Sequence, residues 1–153
     1  MKPTCITIGC DHAACEMKLA IIEHLNKQGI KTIDVGAHSS ESCDYPHFAH
    51  AVCKNVQDGI SELGILVCGT GIGMSIAANK HRGIRAAVCM DTFSARLTRE
   101  HNDSNVLCLG ARVIGLGLAL DLVDAYIHAD FTGEEKHTRR LALISELEKK
   151  DSI

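Results

Sequence analysis

The residue pattern most suggestive of chemistry is a cysteine directly before a glycine-rich turn, Cys68-Gly69-Thr70-Gly71-Ile72-Gly73. Glycines lack a Cβ, so the N–H groups of such a turn can approach a ligand closely, and the turn opens a predicted helix whose dipole adds to them. The pattern therefore predicts an anion site, for either a phosphate or a developing enolate. The same N–H dipoles favour a thiolate at Cys68, although a cysteine at a strand end can equally be a buried hydrophobe.

Two familiar nucleotide motifs do not match this turn. Its spacing is G-x-G-x-G and not the dinucleotide pattern G-x-G-x-x-G, and no Lys-Ser or Lys-Thr pair follows the glycines as in a P-loop. A structural metal is not expected either, because the chain has no C-x-x-C pair and Cys10-Asp11-His12 is too closely spaced for two ligands from one turn. We therefore predict neither a cofactor nor a metal.

Two further segments carry candidate polar residues. His101 lies at the end of a predicted helix, in the segment Glu100-His101-Asn102-Asp103, where a histidine is often only a surface or capping residue. Lys136 and Arg140 are four residues apart, so they project from one helix face. They are either part of a solvated face or a pair that grips a phosphate.

Short apolar segments alternate with longer amphipathic ones along the chain, which predicts five strands and six helices. The apolar segments are continuous, which is typical of a parallel sheet covered on both faces. We expect one domain over residues 1–153, an α/β fold with a doubly wound, five-stranded parallel sheet in a Rossmann-like αβα sandwich. The expected strands are 4–9, 30–35, 63–68, 84–90 and 106–109, and the expected helices are 14–28, 46–58, one ending near 80, 91–100, 116–128 and 133–150.

This fold directs attention to the carboxyl ends of the strands, where open parallel sheets bind ligands. Those ends carry Cys10-Asp11-His12, the glycine turn and Gly110-Ala111-Arg112. The predicted helix 116–127 is apolar around most of its circumference, so it is either deeply buried or part of a subunit interface, and the interface is slightly favoured.

Composition excludes several function classes. The 153 residues carry 16 basic and 19 acidic side chains, for a net charge of −3, and only 3% are aromatic, which argues against nucleic-acid or membrane-surface binding. No segment resembles a signal peptide or a membrane span, so the eight cysteines are expected to be reduced in a cytoplasmic protein. Cys10, Cys15 and Cys43 lie at or near predicted loops and have no assigned role. The other five look like small core residues, at positions 5, 53, 68, 89 and 108.

Six segments together resemble the type B ribose-5-phosphate isomerases, in the sugar-phosphate isomerase family that also includes galactose-6-phosphate isomerase subunits. They occur in the order GCDHA (9–13), DYP (44–46), CGTGIG (68–73), AANK (77–80), GIRA (83–86) and HNDSNV (101–106). The resemblance runs from residue 6 to about residue 146.

The resemblance implies an aldose–ketose isomerisation through a cis-enediolate, without metal or nucleotide. It makes Cys68 the base that moves a proton between C2 and C1 of the open-chain sugar. Another branch of the family uses a glutamate for this role, at the position where this chain has Met74. The resemblance further implies that His101 and Thr70 open the sugar ring and that the glycine turn stabilises the enediolate oxygen. Residues implied to bind the turn's ligand and the sugar hydroxyls are Gly69, Gly71, Ile72, Gly73, Asp11, Tyr45 and Asn102.

The resemblance also implies where the phosphate binds and how the subunits assemble. The residues implied to bind the phosphate are His12, Arg112, Lys136 and Arg140, and His137 is implied to lie close by. This chain has Lys136 where an arginine is common in the family. The lysine keeps the positive charge but lacks the planar guanidinium that can bind a phosphate through two donors. The implied site is shared across a homodimer, or a dimer of dimers, with the C-terminal helix packing on the partner subunit.

Two alternatives stay open at this stage. One is an isomerase of a six-carbon sugar phosphate, galactose 6-phosphate or allose 6-phosphate, because pocket length depends on the loop at residues 39–44. The other is a non-catalytic phosphate- or nucleotide-binding α/β module, for which the glycine turn alone would suffice.

Overall fold

The structure is a computed structural model that describes residues 2–150. Within them, five parallel strands form one sheet in the order β2-β1-β3-β5-β4, helices α1 to α5 pack around it, and a sixth helix, α6, contacts α4. The strands are β1 (Cys5–Cys10), β2 (Lys31–Asp34), β3 (Leu63–Cys68), β4 (Ala86–Val88) and β5 (Val106–Gly110). The helices are α1 (Cys15–Lys27), α2 (Tyr45–Gln57), α3 (Ile72–Ala78), α4 (Thr92–Asn102), α5 (Leu116–Ile127) and α6 (Glu135–Lys150). The predicted doubly wound α/β fold is confirmed.

The core lies in two layers, one on each face of the sheet. Successive residues of a strand point to opposite faces. Accordingly Ile65 of β3 joins the cluster under α1 and α5, whereas its neighbour Leu66 joins the cluster under α2 and α3. Both side chains are completely buried. Burying such an aliphatic side chain contributes about 1.5–3 kcal/mol, so a strand that is apolar on both faces stabilises both layers.

The strand order reverses between β1 and β3, which are neighbours in the sheet. The chain moves outward from β1 to β2 on one side and from β3 toward β5 and β4 on the other. The Asp11 N–H, just after β1, donates to the Val67 carbonyl oxygen of β3 at 3.1 Å. The loops after these two strands therefore meet at the switch point, where such sheets bind ligands.

Strand β4 is shorter than the sequence predicts, three residues in place of seven. The Ile84 N–H donates to the His81 carbonyl oxygen at 3.1 Å, so the expected start of the strand is part of a turn. The Asn79 side-chain amide then pairs with both backbone groups of Ala86, at 2.8 and 2.9 Å. This side chain caps the outer edge of β4 where a further strand would otherwise pair.

Helix α5 buries most of its apolar side chains within the chain itself. Ala119, Leu122, Val123, Tyr126 and Ile127 are all buried in the core cluster. In its first turn, Leu116 and Leu118 stay exposed, at 46% and 38% of their surface. Of the two alternatives for this helix, deep burial therefore holds for most of its length, and the slightly favoured subunit interface stays a prediction for its exposed amino end.

The cysteines divide differently from the prediction at two positions. Cys5, expected to be a small core residue, is only half-buried. Cys10, expected at a loop, is the last residue of β1 and is fully buried. All eight cysteines are free thiols. Burial raises the pKa of Cys53 to about 12 and that of Cys89 to about 11, so both are neutral, apolar core side chains near pH 7. No helix among the described residues is both long and apolar enough to cross a membrane.

Candidate active site

The glycine turn and the turn after β5 are joined at the carboxyl edge of the sheet. The Ala111 N–H donates to the Cys68 carbonyl oxygen at 2.8 Å, and the Arg112 N–H donates to the Gly69 carbonyl oxygen at 3.0 Å. Backbone hydrogen bonds therefore hold the two turns side by side and fix the position of Cys68.

The sulfur of Cys68 accepts a hydrogen bond from the turn that follows it. The Gly71 N–H lies 3.1 Å from Cys68 Sγ, and the cysteine is only 5% exposed. Gly71 has a φ of +78°, which side-chain-bearing residues rarely adopt, and a Cβ there would lie 3.0 Å from the Leu109 carbonyl carbon. The turn thus needs a glycine at this point to direct an N–H at the sulfur.

Thr70 forms the exposed tip of the turn. Its Oγ1 accepts a hydrogen bond from the Ile72 N–H at 3.3 Å. Behind it, Gly110 lies so close that a Cβ would come within 2.7 Å of the Thr70 carbonyl carbon. Gly110 was not among the predicted site residues, because its closeness to Thr70 follows from the register of β3 and β5 and not from local sequence.

Tyr45 lies against the first turn of α3. It is the first residue of α2, whose entry is favoured by Pro46 in the first turn. A Cβ on Gly73 would lie 2.8 Å from the Tyr45 ring carbon Cζ, so the glycine leaves space for the ring. The phenol, 38% exposed, therefore stands beside the glycine turn.

Asp11 and His12 follow β1 on the other side of the switch point. Asp11 is 8% exposed, and its Oδ1 accepts from the Ala13 N–H at 2.9 Å. His12 Nδ1 accepts from the Cys43 N–H at 3.4 Å. This hydrogen bond assigns the ring proton of a neutral His12 to Nε2, which is thereby the donor nitrogen of the ring. Cys43 is a contact that sequence reasoning missed, since 31 residues separate it from His12.

The Arg112 side chain lies along the glycine turn. A Cβ on Gly69 would meet Arg112 Cδ and Nη1 at 3.4 Å each, and the arginine is exposed. It supplies a cation beside the turn. We call the residues gathered here the carboxyl-edge group: Asp11, His12, Tyr45, Cys68, Gly69, Thr70, Gly71, Ile72, Gly73 and Arg112.

His101 and His137 form a second group. Their rings stack with centroids 4.3 Å apart and an interplanar angle of 11°. His101 lies in the last turn of α4, and His137 lies in the first turn of α6, 6% exposed. Burial, followed by the nearby charge of His101, lowers the pKa of His137. Within residues 2–150, His137 Nε2 is buried without a hydrogen-bond partner.

The remaining predicted residues lie around this histidine pair. Lys136 Nζ contacts Glu134 Oε2 at 2.8 Å, so its charge is partly neutralised, and Arg140 is exposed one helical turn further along α6. Asn102 is the last residue of α4. Glu134 was not predicted, although an acidic residue two positions before Lys136 is a readable signal. We call this set the helix-end group: His101, Asn102, Lys136, His137 and Arg140.

The two groups lie at different edges of the sheet. Cys68 pairs in register with Gly110 at the carboxyl end of β5, whereas His101 and Asn102 end the helix that leads into Val106 at its amino end. Four residues separate Gly110 from Val106, which is about 13 Å along a strand. One chain therefore does not bring Cys68 and His101 into contact with one small ligand.

A metal centre is not formed by the described residues: no group of three or more His, Cys, Asp or Glu side chains there is arranged to hold an ion. What the carboxyl-edge group presents is a sulfur, several backbone N–H groups, a carboxylate, a phenol and a cation. These are the components needed to bind a small polyhydroxylated anion and to move a proton on it.

The fold and this site together define a doubly wound α/β protein with a ligand site at the switch point. A sequence model of the Ribose/Galactose Isomerase family matches residues 6–144, and the chain belongs to this family. It is 48% identical to Escherichia coli ribose-5-phosphate isomerase B over 145 residues, 95% of this chain and 97% of that one. It is 36% identical to a galactose-6-phosphate isomerase subunit of Clostridium acetobutylicum, covering 95% of this chain and 84% of that one.

A solved structure agrees with these relatives. The Clostridium thermocellum ribose-5-phosphate isomerase B superposes with a TM-score of 0.94 at 51% identity, covering 95% of this chain and 98% of that one. The family suggested by the six sequence segments is confirmed.

Proposed function

We propose that this protein interconverts ribose 5-phosphate and ribulose 5-phosphate. The observation that carries the proposal is Cys68 Sγ, held 3.1 Å from the Gly71 N–H in a glycine turn at the switch point. The relatives named ribose-5-phosphate isomerase B support the five-carbon substrate.

The chemistry assigns one proton transfer to the sulfur. The Cys68 thiolate removes the proton from C2 of the open-chain aldose, and electrons move toward the C1 oxygen to form a cis-enediolate. Return of that proton to C1, with transfer of the C2 hydroxyl proton to the C1 oxygen, gives the ketose, so the same sulfur removes and returns the carbon-bound proton. The Gly71 N–H is bonded to Cys68 Sγ and the Ile72 N–H to Thr70 Oγ1, so the turn N–H groups of Gly69 and Gly73 stabilise the oxygen charge. A donor of this kind is worth about 3–4 kcal/mol in the transition state.

The other carboxyl-edge residues hold the substrate around that sulfur. Asp11 and Tyr45 contact sugar hydroxyls. His12, through its Nε2–H, and Arg112 contact the phosphate end. The position of Arg112 along the turn supports this assignment, since its cation lies beside the segment that binds the reacting carbons.

A second copy of the chain completes the site in this proposal. The helix-end group carries the remaining acid–base residue, His101, and the remaining cations, Lys136 and Arg140. It lies at the other end of β5, whose length from Val106 to Gly110, the partner of Cys68 in the sheet, is about 13 Å. In a symmetric dimer, each site would combine one carboxyl-edge group with the partner's helix-end group. His101 and Thr70 then open the furanose ring as base and acid.

Substitution at the sulfur tests the proton transfer. Cys68→Ala, assayed with ribose 5-phosphate in the presence of a chelator, should lose at least about a hundredfold in kcat because the general base is gone. Phosphate-dependent binding should persist, because Arg112 and His12 remain. Full activity of this variant would refute the mechanism. Binding of ATP with no turnover of any sugar phosphate would instead indicate a non-catalytic module.

A mixing experiment tests the shared site. Cys68→Ala and His101→Asn are each expected to be nearly inactive on ribose 5-phosphate. Unfolded together and refolded, they should form hybrid dimers with one intact site each and recover about a quarter of wild-type activity, because half of randomly assorted dimers are hybrids. No recovery in hybrids that chromatography shows to be present would place both residues in the same chain's site.

Chain length of the sugar is the finer part of the proposal. The galactose-6-phosphate isomerase subunit among the relatives makes six-carbon phosphates the comparison to run. We expect kcat/KM for ribose 5-phosphate to exceed that for galactose 6-phosphate and allose 6-phosphate. The reverse order would show that the preferred substrate is a six-carbon sugar phosphate, and the proposed proton transfer at Cys68 would be unaffected. Eight free thiols support a reducing compartment, which we take to be the cytoplasm.

A further inference from the structure

Three cysteines with no role in the proposed reaction surround the Asp11–His12 loop. Cys10 ends β1 and Cys15 begins α1, and their sulfurs lie 3.9 Å apart. Cys43 contacts His12, with its sulfur 3.8 Å from the ring Nδ1. Among these thiols, Cys10 and Cys15 are the pair in sulfur-to-sulfur contact.

The two sulfurs are held on the same side by one backbone carbonyl. The Ala37 carbonyl oxygen lies 3.7 Å from Cys10 Sγ and 3.5 Å from Cys15 Sγ. The same oxygen accepts from the buried Lys18 ammonium at 2.8 Å, and Lys18 in turn pairs with Asp34 at 2.7 Å. This anchored carbonyl keeps the sulfurs facing each other, so a modest movement of the side chains brings them to bonding distance.

The two thiols differ in their access to reagents. Cys15 is half-buried at the first residue of a 13-residue helix, whereas Cys10 is completely buried. Burial, and then the neighbouring Cys15, raises the pKa of Cys10 to about 12. Cys15 is therefore the thiol that an external oxidant meets first, and Cys10 is the one that reacts second, inside the protein.

We propose that Cys10 and Cys15 form a reversible disulfide, a modification site that controls the Asp11–His12 loop. With a low-molecular-weight disulfide as oxidant, Cys15 attacks one of its sulfurs and one thiol leaves, giving a mixed disulfide. Cys10 then attacks Cys15 Sγ, and the second thiol leaves. In total the two cysteines lose two electrons and two protons, and the oxidant becomes two thiols.

The linkage closes a short loop at the proposed active site. It encloses residues 11–14, which include Asp11 and His12. Cys15 Sγ also contacts the Ser39 carbonyl oxygen at 3.3 Å, so movement of this sulfur reaches the 39–43 loop that positions His12 through Cys43. This consequence rests on the proposed function: oxidation should weaken substrate binding more than it slows the proton transfer at Cys68, which lies on another strand.

The test uses glutathione disulfide on the full-length protein. Peptide mapping of the oxidised wild type should show Cys10 linked to Cys15, and KM for ribose 5-phosphate should rise several-fold with a smaller change in kcat, both reversed by dithiothreitol. Cys15→Ser should give neither the linkage nor the change in KM. Cys43→Ser is the matched control, since its thiol lies beside the same histidine but faces no sulfur, and it should still form the linkage. Each variant is compared with its own reduced form.

Several outcomes would overturn the proposal. One is a glutathione adduct on Cys15 that never gives way to the internal linkage, and another is a linkage that involves Cys43 instead. A change in KM that Cys15→Ser shares would come from a different thiol. A Cys10–Cys15 linkage with unchanged kinetics would refute control of the loop. Peptide mapping needs no turnover, so if the reduced protein lacks isomerase activity the proposed function fails and the linkage is still tested.

Discussion

Replacing Gly110 by alanine should strain the contact between β5 and the glycine turn. A Cβ at this position would lie 2.7, 2.8 and 2.9 Å from the carbonyl carbon, carbonyl oxygen and Cα of Thr70. All three atoms are backbone, so no side-chain rotation relieves the overlap. Overpacking of this kind costs about 1–3 kcal/mol in the free energy of unfolding. Because the Ala111 N–H next to Gly110 bonds the Cys68 carbonyl oxygen, the displacement also reaches the turn that holds the sulfur.

Gly117→Ala provides the matched control. Gly117 lies in α5, and a Cβ there meets no atom within 4 Å, so alanine should stabilise the helix by about 0.5–1 kcal/mol. For a chain of this size, each kcal/mol moves Tm by about 2–4 °C. Gly110→Ala should therefore melt about 2–12 °C below the wild type, and Gly117→Ala slightly above it. Urea denaturation gives the corresponding free energies, and the isomerase assay should show a lower kcat for Gly110→Ala alone. Wild-type stability and activity in Gly110→Ala would refute the tight contact with Thr70.

Three further predictions follow from individual contacts. Gly73→Ala places a Cβ 2.8 Å from the end of the exposed Tyr45 ring. Because the ring can rotate away, Tm should stay unchanged while KM for ribose 5-phosphate rises. A large fall in Tm would contradict this. Lys18→Met leaves Asp34 without its buried partner and should cost about 3–5 kcal/mol in urea denaturation, and an unchanged midpoint would show that the ion pair is dispensable. The fold lowers the pKa of His137, so protonation favours the unfolded chain, and stability is lost as pH falls below about 6.5. Between about pH 7.5 and about pH 5.5 the wild type should lose more stability than His137→Gln, and equal losses would count against the buried, neutral imidazole.

Most of the fold could be predicted from the sequence, because strands that are buried on both faces of a sheet are apolar throughout. The segment Leu63–Cys68 is apolar throughout, and the structure places it in the middle of the sheet with every residue buried. The edge strand β4 is the weaker prediction, because its limits depend on the Asn79 side chain, a contact made across a turn. Periodicity reports how buried a segment is, but it does not report which side chain ends a strand.

The site was readable only where its residues are neighbours in sequence. Cys68 and the glycines that follow it form a local pattern whose chemistry can be argued from residue types. The contact of Cys43 with His12 and that of Cys10 with Cys15 depend on how β1, α1 and the 39–43 loop pack, so neither was predicted. Cys10 in particular was expected at a loop and lies instead within β1.

The two edges of the sheet position their residues by different physical means. At the carboxyl edge, the sulfur is fixed by backbone hydrogen bonds and by glycines at Gly71 and Gly110 that admit no Cβ, so its geometry is set once the sheet forms. The helix-end group depends instead on a ring stack and on charges at exposed helix ends, with Lys136 already paired to Glu134. A base that abstracts a carbon-bound proton needs the first kind of precision, because misplacement of the reacting atoms by about 1 Å can cost about a hundredfold in rate. Cations that bind a phosphate tolerate the second kind, since charge attraction varies slowly with distance. In the proposed dimer, the transfer of the carbon-bound proton would therefore rest on one chain's backbone, whereas the partner's Lys136 and Arg140 would supply charges whose exact positions matter less.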